Sequence, residues 1–327
     1  MKERYKELDL MKGIGIILVY LGHSFNLKGL IGNDIFYYLY GTIYSFHMPL
    51  FFLISGFLMN NGKDIQLKKY YIHKIKRILI PYFYINLIDF FPRTLFPNLV
   101  NSKFDIMRVF FYGTKITWFI YTLFMIFIIF PFLEKYILKK DRHYLFGIIL
   151  ILVNYFKLFN NLEIFSINAV VGYLVYFYIG YIIRPIYKNK IINGIWNKNI
   201  IFLMFGVIFL VFSYKSFYLN YFNSIIFALM GILLTLNISL RIKKGNFIYD
   251  ILKFIGINSL TFYLIEGFIT VFYRVVLIKI IPIEQGELFV SIFFILRILT
   301  AFIAVKIITK SSILSFLLGA EKENKLC

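Results

Sequence analysis

The chain has a single cysteine among 327 residues, Cys327, so it can form neither an intrachain disulfide nor a cysteine-ligated metal cluster. Its four histidines, His23, His47, His73 and His143, fall in no HExxH or comparable ligand spacing, and no metal site is expected. Charge is scarce as well: only 16% of residues are Asp, Glu, Lys or Arg, too few to clothe a soluble domain of this length. No low-complexity tract, linker or internal repeat interrupts the sequence, so residues 1–327 read as one domain. Residues 1–12 are too charged for a cleavable signal, and no small-residue cleavage site follows the first apolar run. The first apolar segment is therefore expected to remain in the mature protein.

What is present is apolar surface: 60% of residues are hydrophobic and 21% aromatic, with closely spaced apolar runs from residue 13 to residue 318. No room is left for a separate soluble catalytic domain. The reading is an all-α, polytopic membrane protein with about ten transmembrane helices near 10–29, 41–60, 78–97, 116–134, 144–159, 166–184, 200–217, 221–240, 254–273 and 288–308. Of the 36 Lys and Arg, 26 fall on one side of this alternation, nine on the other, and Arg297 within a span. That imbalance predicts cytoplasmic termini, and an odd span count would break it. The net charge of +20 is thus a set of topology determinants scattered in short loops beside membrane lipid, with no nucleic-acid role expected. The longest exterior connection, about 98–115, is too short for a large extracellular module, so an external substrate must approach a membrane-level cavity.

Ionisable groups inside spans are expensive unless paired or facing a cavity, and only His23, His47, Asp89, Glu266 and Arg297 qualify. Asp89, near Pro92 and Arg93, fits an outer-interface structural role. Glu266 and Arg297 are candidate ion-pair partners, with Glu266 the harder to assign to structure alone because it lies mid-span. On the first helix Lys12 and His23 are eleven residues apart, three turns plus about 20°, so both project from one face with roughly 16 Å of rise between them. Only fifteen residues separate Lys12 from Lys28, about 22 Å of helix against roughly 30 Å of hydrocarbon. Lys12 therefore sits near the cytoplasmic interface and His23 a little beyond mid-membrane. The second span runs back and can bring His47 to a comparable depth. Each histidine has a plain alternative, a neutral imidazole bonded to a neighbouring helix.

The basic stretch KDIQLKKYYIHKIKRILIPY (63–82) has two readings as well. Its lysines suit an anchor on anionic lipid, whereas Lys74 and Arg77, one turn apart, suit a clamp for the phosphates of a cofactor arriving from the cytoplasm.

Several of these segments resemble the integral-membrane acyltransferase family 3, which includes sugar O-acetyltransferases acting on bacterial surface polysaccharides. LDLMKGIGIILVYLGH (8–23) is similar to the family's opening, in which an aspartate and a basic residue precede a histidine eleven positions after the basic one; here these are Asp9, Lys12 and His23. FHMPLFFLISGFLM (46–59) is similar to its second helix, KIKRILIPY (74–82) to the basic pair and proline that open the third, and Trp118-Phe119 to a further Trp-Phe element. The pattern departs twice: Lys12 stands where many members have arginine, and Glu266, in FYLIEGF (262–268), where many carry a histidine.

The resemblance implies an acyltransferase of the bacterial plasma membrane. It would carry an acetyl or other short acyl group from cytoplasmic acyl-CoA, most often acetyl-CoA, to a hydroxyl of a surface polysaccharide or glycolipid sugar. On this reading His23 is the general base or an acyl carrier, with His47 or Glu266 assisting, while Asp9, Lys12, Lys74 and Arg77 form the donor's entrance. Acetyl versus succinyl, the sugar acceptor and a homo-oligomeric state stay open. The competing class is a polysaccharide or small-molecule transporter, which ten helices with intramembrane charges would also suit, although no paired interrupted helices in two related halves are seen. A scaffold without chemistry would make His23, His47 and Glu266 incidental.

Overall fold

The computed structural model describes residues 5–25, 34–59, 66–95, 104–138, 143–188, 206–209, 221–278 and 286–322; these form helices and turns, with no strand among them. In chain order the main helices are α1 (Lys6–Phe25), α2 (Asp34–Phe57), α3 (Leu67–Lys74), α4 (Ile80–Leu95), α5 (Trp118–Tyr136) and α6 (His143–Tyr155). They continue as α7 (Ile167–Lys188), α8 (Tyr221–Arg241), α9 (Phe247–Ile257), α10 (Ser259–Ile278), α11 (Gly286–Lys310) and α12 (Ser312–Leu318). Four stretches, Lys6–Phe25, Trp118–Tyr136, Ile164–Pro185 and Gly286–Lys310, are long and apolar enough to cross a membrane, and the pair Phe247–Ile257 and Ser259–Arg274 makes a fifth if it is one broken span. The described residues are all-helical, and their long apolar helices are those of a membrane protein. The predicted seventh span, 200–217, lies almost wholly outside the described residues.

Beyond shifts of a few residues at helix ends, such as α2 beginning at Asp34 where 41 was expected, three features differ from the sequence reading. The predicted ninth span breaks at Asn258, where α9 and α10 meet at 83°. The Asn258 side chain is fully buried, donates to the Phe254 carbonyl (3.1 Å) and accepts from the Glu321 amide (3.0 Å), so side-chain bonds take over where the helical ladder stops. The third predicted span starts earlier, because α3 runs into α4 through a π turn at Ile75–Leu79, in which the Ile80 amide donates to the Ile75 carbonyl. Pro81 has no N–H for the Arg77 carbonyl, and a widened turn makes room for its ring. Finally, α12 was not expected; the Ser311 hydroxyl accepts from the Leu314 amide to start it, and Gly319 ends it at φ 68°.

α1 is the hub. It packs against α2, α8, α9, α10 and α11, and its buried residues, among them Leu8, Leu10, Met11, Ile16, Val19 and Tyr20, lie all around the helix, the pattern of an element enclosed by others. By contrast, α11 shows a stripe at four-residue spacing, Ile295, Leu299, Ile303 and Ile307, each exposed by half or more, while Phe293, Arg297, Ala301 and Val305 are buried. Such a stripe is a lipid-facing side.

Hydrocarbon on both sides of a helix gives no hydrophobic drive for association, so close backbone approach does the work. Two helix pairs achieve it reciprocally. Gly13 lies against the Leu252 carbonyl while Gly256 lies against that of Asp9, joining α1 to α9; Gly56 meets the Phe177 carbonyl and Gly180 that of Leu53, joining α2 to α7. At all four positions a Cβ would collide with main chain. Gly256→Val and Gly180→Val are therefore expected to lower stability by about 1–3 kcal/mol each, read as earlier thermal unfolding in detergent, and unchanged melting would refute the packing argument.

Candidate functional site

The most deeply buried charges meet between α1, α10 and α11. Glu266 on α10 is the centre: its Oε1 receives a hydrogen bond from Thr270 Oγ1 (2.6 Å), lies 2.9 Å from His23 Nδ1 on α1, and is also bonded by Arg297 Nη2 from α11. Arg297 is wholly buried. Its Nη1 donates to the Tyr20 carbonyl (3.0 Å) and to Ser24 Oγ (2.9 Å), while the guanidinium lies against the Tyr20 and Phe293 rings at 5.2 and 4.7 Å. The Tyr20 hydroxyl in turn donates to the Phe262 carbonyl (2.9 Å), closing a loop between α1 and α10.

Helical spacing explains why the set assembles. Tyr20 and Ser24 are one turn apart on α1, as are Glu266 and Thr270 on α10, so each helix offers two adjacent polar groups on one face. Arg297, a permanent cation, neutralises the carboxylate and fixes its position. A proton on His23 Nδ1 then points at Glu266, which leaves the Nε2 lone pair for chemistry. The His23 side chain is 37% exposed, against 7% for that of Glu266. It is thus oriented from behind and accessible in front.

His47 is near but outside this network. It is buried, with Nδ1 2.8 Å from the Ile43 carbonyl oxygen, and Tyr44 stands between the histidines, its ring centroid 4.7 Å from His47 and 6.4 Å from His23. The two imidazoles, expected at comparable depth, thus both lie near the Tyr44 ring.

The predicted entrance groups do come together. Lys12, Lys74 and Arg77 line one cavity of about 210 Å³ whose walls run through Ile16, Ile54, Leu123 and Leu260 to the rings of Phe51, Phe119 and Tyr263. Lys12 is paired with Asp9 (2.8 Å), the i, i+3 bridge that the spacing allows. Lys74 Nζ lies over the Phe127 ring at 3.3 Å and 5.5 Å from that of Tyr70. Arg77 Nη2 donates to Glu321 Oε1 (2.9 Å), and the segment after α12 that carries Glu321 packs beside it, with Gly319 against the Arg77 carbonyl and Pro81. His23 and Glu266 do not line this cavity, yet Tyr263 is one turn from Glu266 on α10, and Ile16 is seven residues, about 10 Å of rise, from His23 on α1.

Sequence reasoning treated Arg297 as a helix tie and missed that it organises the His23 partner. It also missed Tyr20, Ser24, Thr270 and Glu321. The first three stand one turn from candidates already named, or next to them, which was a usable signal; Glu321 is 244 residues from Arg77, and nothing local announces it. Asp89 bonds Arg93 Nε at 2.5 Å, a pair within α4 away from the centre. Among the described residues no group of three or more His, Cys, Asp or Glu could hold a metal ion.

A family model described as an acyltransferase domain matches residues 5–309. No curated protein matches the chain, and no solved structure does.

Proposed function

We propose, because the chain belongs to acyltransferase family 3 and is therefore an acyltransferase, that it moves an acetyl or other short acyl group from cytoplasmic acyl-CoA to a hydroxyl of a surface polysaccharide or glycolipid sugar. The observation that carries this reading is the shared cavity: three cations at one end, an apolar bore, and an inner end one turn from the residue that orients His23. Lys12, Lys74 and Arg77 would hold the donor's phosphates, with Asp9 returning to Lys12 when the site empties. The pantetheine arm suits the apolar walls. Cytoplasmic termini, ten spans in a single domain and residence in the cell membrane complete the proposal, since they put the cations on the side where acyl-CoA is made.

In the chemical step His23 Nε2 takes the proton of the acceptor hydroxyl as its oxygen attacks the thioester carbonyl. The C–S bond breaks, and the departing thiolate collects the proton. Glu266 holds the Nδ1–H and balances the imidazolium that forms, while Arg297 and Thr270 keep Glu266 in place. His47, behind Tyr44, supports the orientation of His23 from the side.

The test is purified protein in liposomes with radiolabelled acetyl-CoA and a glycan acceptor, run beside a flux assay in sealed vesicles. Label on the acceptor supports the reading; substrate flux without label would establish the transporter instead. For the entrance, Lys74→Ala and Arg77→Ala are each expected to raise the donor KM by about tenfold, with a smaller loss at high salt. Unchanged KM in both variants would return these residues to lipid anchoring.

A further inference from the structure

The cavity stops short of His23 and Glu266 at a layer of three rings. Phe119, from the first turn of α5, is in the middle: its centroid is 5.8 Å from that of Phe51 on α2 and 5.2 Å from that of Tyr263 on α10. All three residues are buried, and Phe52 braces Phe119 from behind at 5.0 Å, edge to face. Phe51 has little freedom to withdraw, because its ring lies against Gly15 of α1, where even a Cβ would touch it.

The depth of the bore fixes what meets this layer. Phe127, beside the Lys74 ammonium, and Phe119 are eight residues apart on α5, about 12 Å of rise. An extended pantetheine arm that starts at the cations spans the whole of this length, so the acyl group arrives among the rings. Tyr263 then separates it from Glu266 by one helical turn. The lining beyond the mouth offers the hydroxyls of Ser55, Ser259 and Tyr263 but no cationic side chain. A carboxylate carried to that end would be desolvated without a partner.

We propose that Phe51, Phe119 and Tyr263 form an acyl sieve, which sets the length limit of the donor's acyl group and, with the uncharged walls above it, excludes acyl groups that carry a negative charge. The sieve rests on the reading of this cavity as the acyl-CoA site and assigns specificity within it. A chain longer than a few carbons must displace the central ring against Phe52, whereas acetyl is short enough to stop in front of it.

The experiment compares acetyl-, butyryl-, octanoyl- and succinyl-CoA as donors for wild type and Phe119→Ala, with Phe119→Leu as the second variant should the alanine protein not fold. Wild type is expected to favour acetyl over octanoyl by at least about tenfold in kcat/KM. In either variant that ratio is expected to fall by about tenfold, while succinyl-CoA remains a poor donor throughout. Succinyl is the control for general loosening, because ring size does not change the cost of an unpaired carboxylate. Parallel length profiles in wild type and variant would overturn the sieve, and so would efficient use of succinyl-CoA by wild type. If wild type uses no acyl-CoA at all, the donor reading fails and the sieve goes with it; acetyl transfer with an unmoved length profile sinks the sieve alone.

Discussion

His23→Ala protein is expected to fold, to bind the donor as wild type does, and to transfer acyl groups about 10²–10⁴-fold more slowly. Folding should survive because His23 is more than a third exposed and because Arg297 and Thr270 continue to hold Glu266. Donor binding should survive because Lys12, the entrance cation that shares α1 with His23, is about 16 Å away along that helix, and His23 does not line the cavity that holds Lys74 and Arg77. Only the proton acceptor is lost. The measurement is kcat for acetyl transfer at saturating donor, beside direct binding of CoA by calorimetry. Transfer at the wild-type rate would end the assignment of His23, and a loss confined to CoA affinity would move the residue to the donor site.

Glu266→Ala should have the largest effect on stability, about 3–5 kcal/mol, because it leaves a wholly buried guanidinium without its counter-charge. Glu266→Gln keeps an acceptor oxygen for Thr270 and His23 and is expected to be milder in stability yet strongly impaired in transfer, since no charge faces the imidazolium. The informative variant is Glu266→Ala with Arg297→Ala. Removing both charges should be less harmful than the sum of the single losses, because each single variant strands the other charge. Thermal unfolding in detergent reads all four proteins. Strict additivity would mean that the two residues act independently and that Arg297 is not what holds Glu266.

Legibility in the sequence followed the range of the interactions. Lys12 and His23 could be placed on one face because both lie within one helix, and the Asp9–Lys12 bridge follows from the same periodicity. Lys74 and Arg77 were legible as a pair, although the π turn that begins just after Lys74 was not, because it depends on how Pro81 and the neighbouring chain accommodate each other. The break at Asn258 was hidden inside an apolar run: hydropathy registers composition, while the bend is made by two hydrogen bonds of one side chain, one of them to Glu321. Arg297 was legible as a costly charge but not as a link to the α1 main chain 277 residues away. Long-range partners leave no periodic trace, so the centre of the site was visible as isolated residues before it was visible as a network.

The entrance has one more consequence. Lys12 and Arg77 are already matched to tethered carboxylates, Asp9 and Glu321. Anion binding there is an ion exchange: an incoming phosphate must evict a competitor whose local concentration is high because it belongs to the same chain. The membrane surface around it is crowded with anionic headgroups, and a headgroup with a single phosphate would trade one carboxylate for one phosphate with little net change. A ligand with several phosphates displaces both carboxylates in one event. On the donor reading proposed above, self-neutralised cations discriminate by valency, so that bystander lipid is kept out while a soluble, polyanionic guest is admitted.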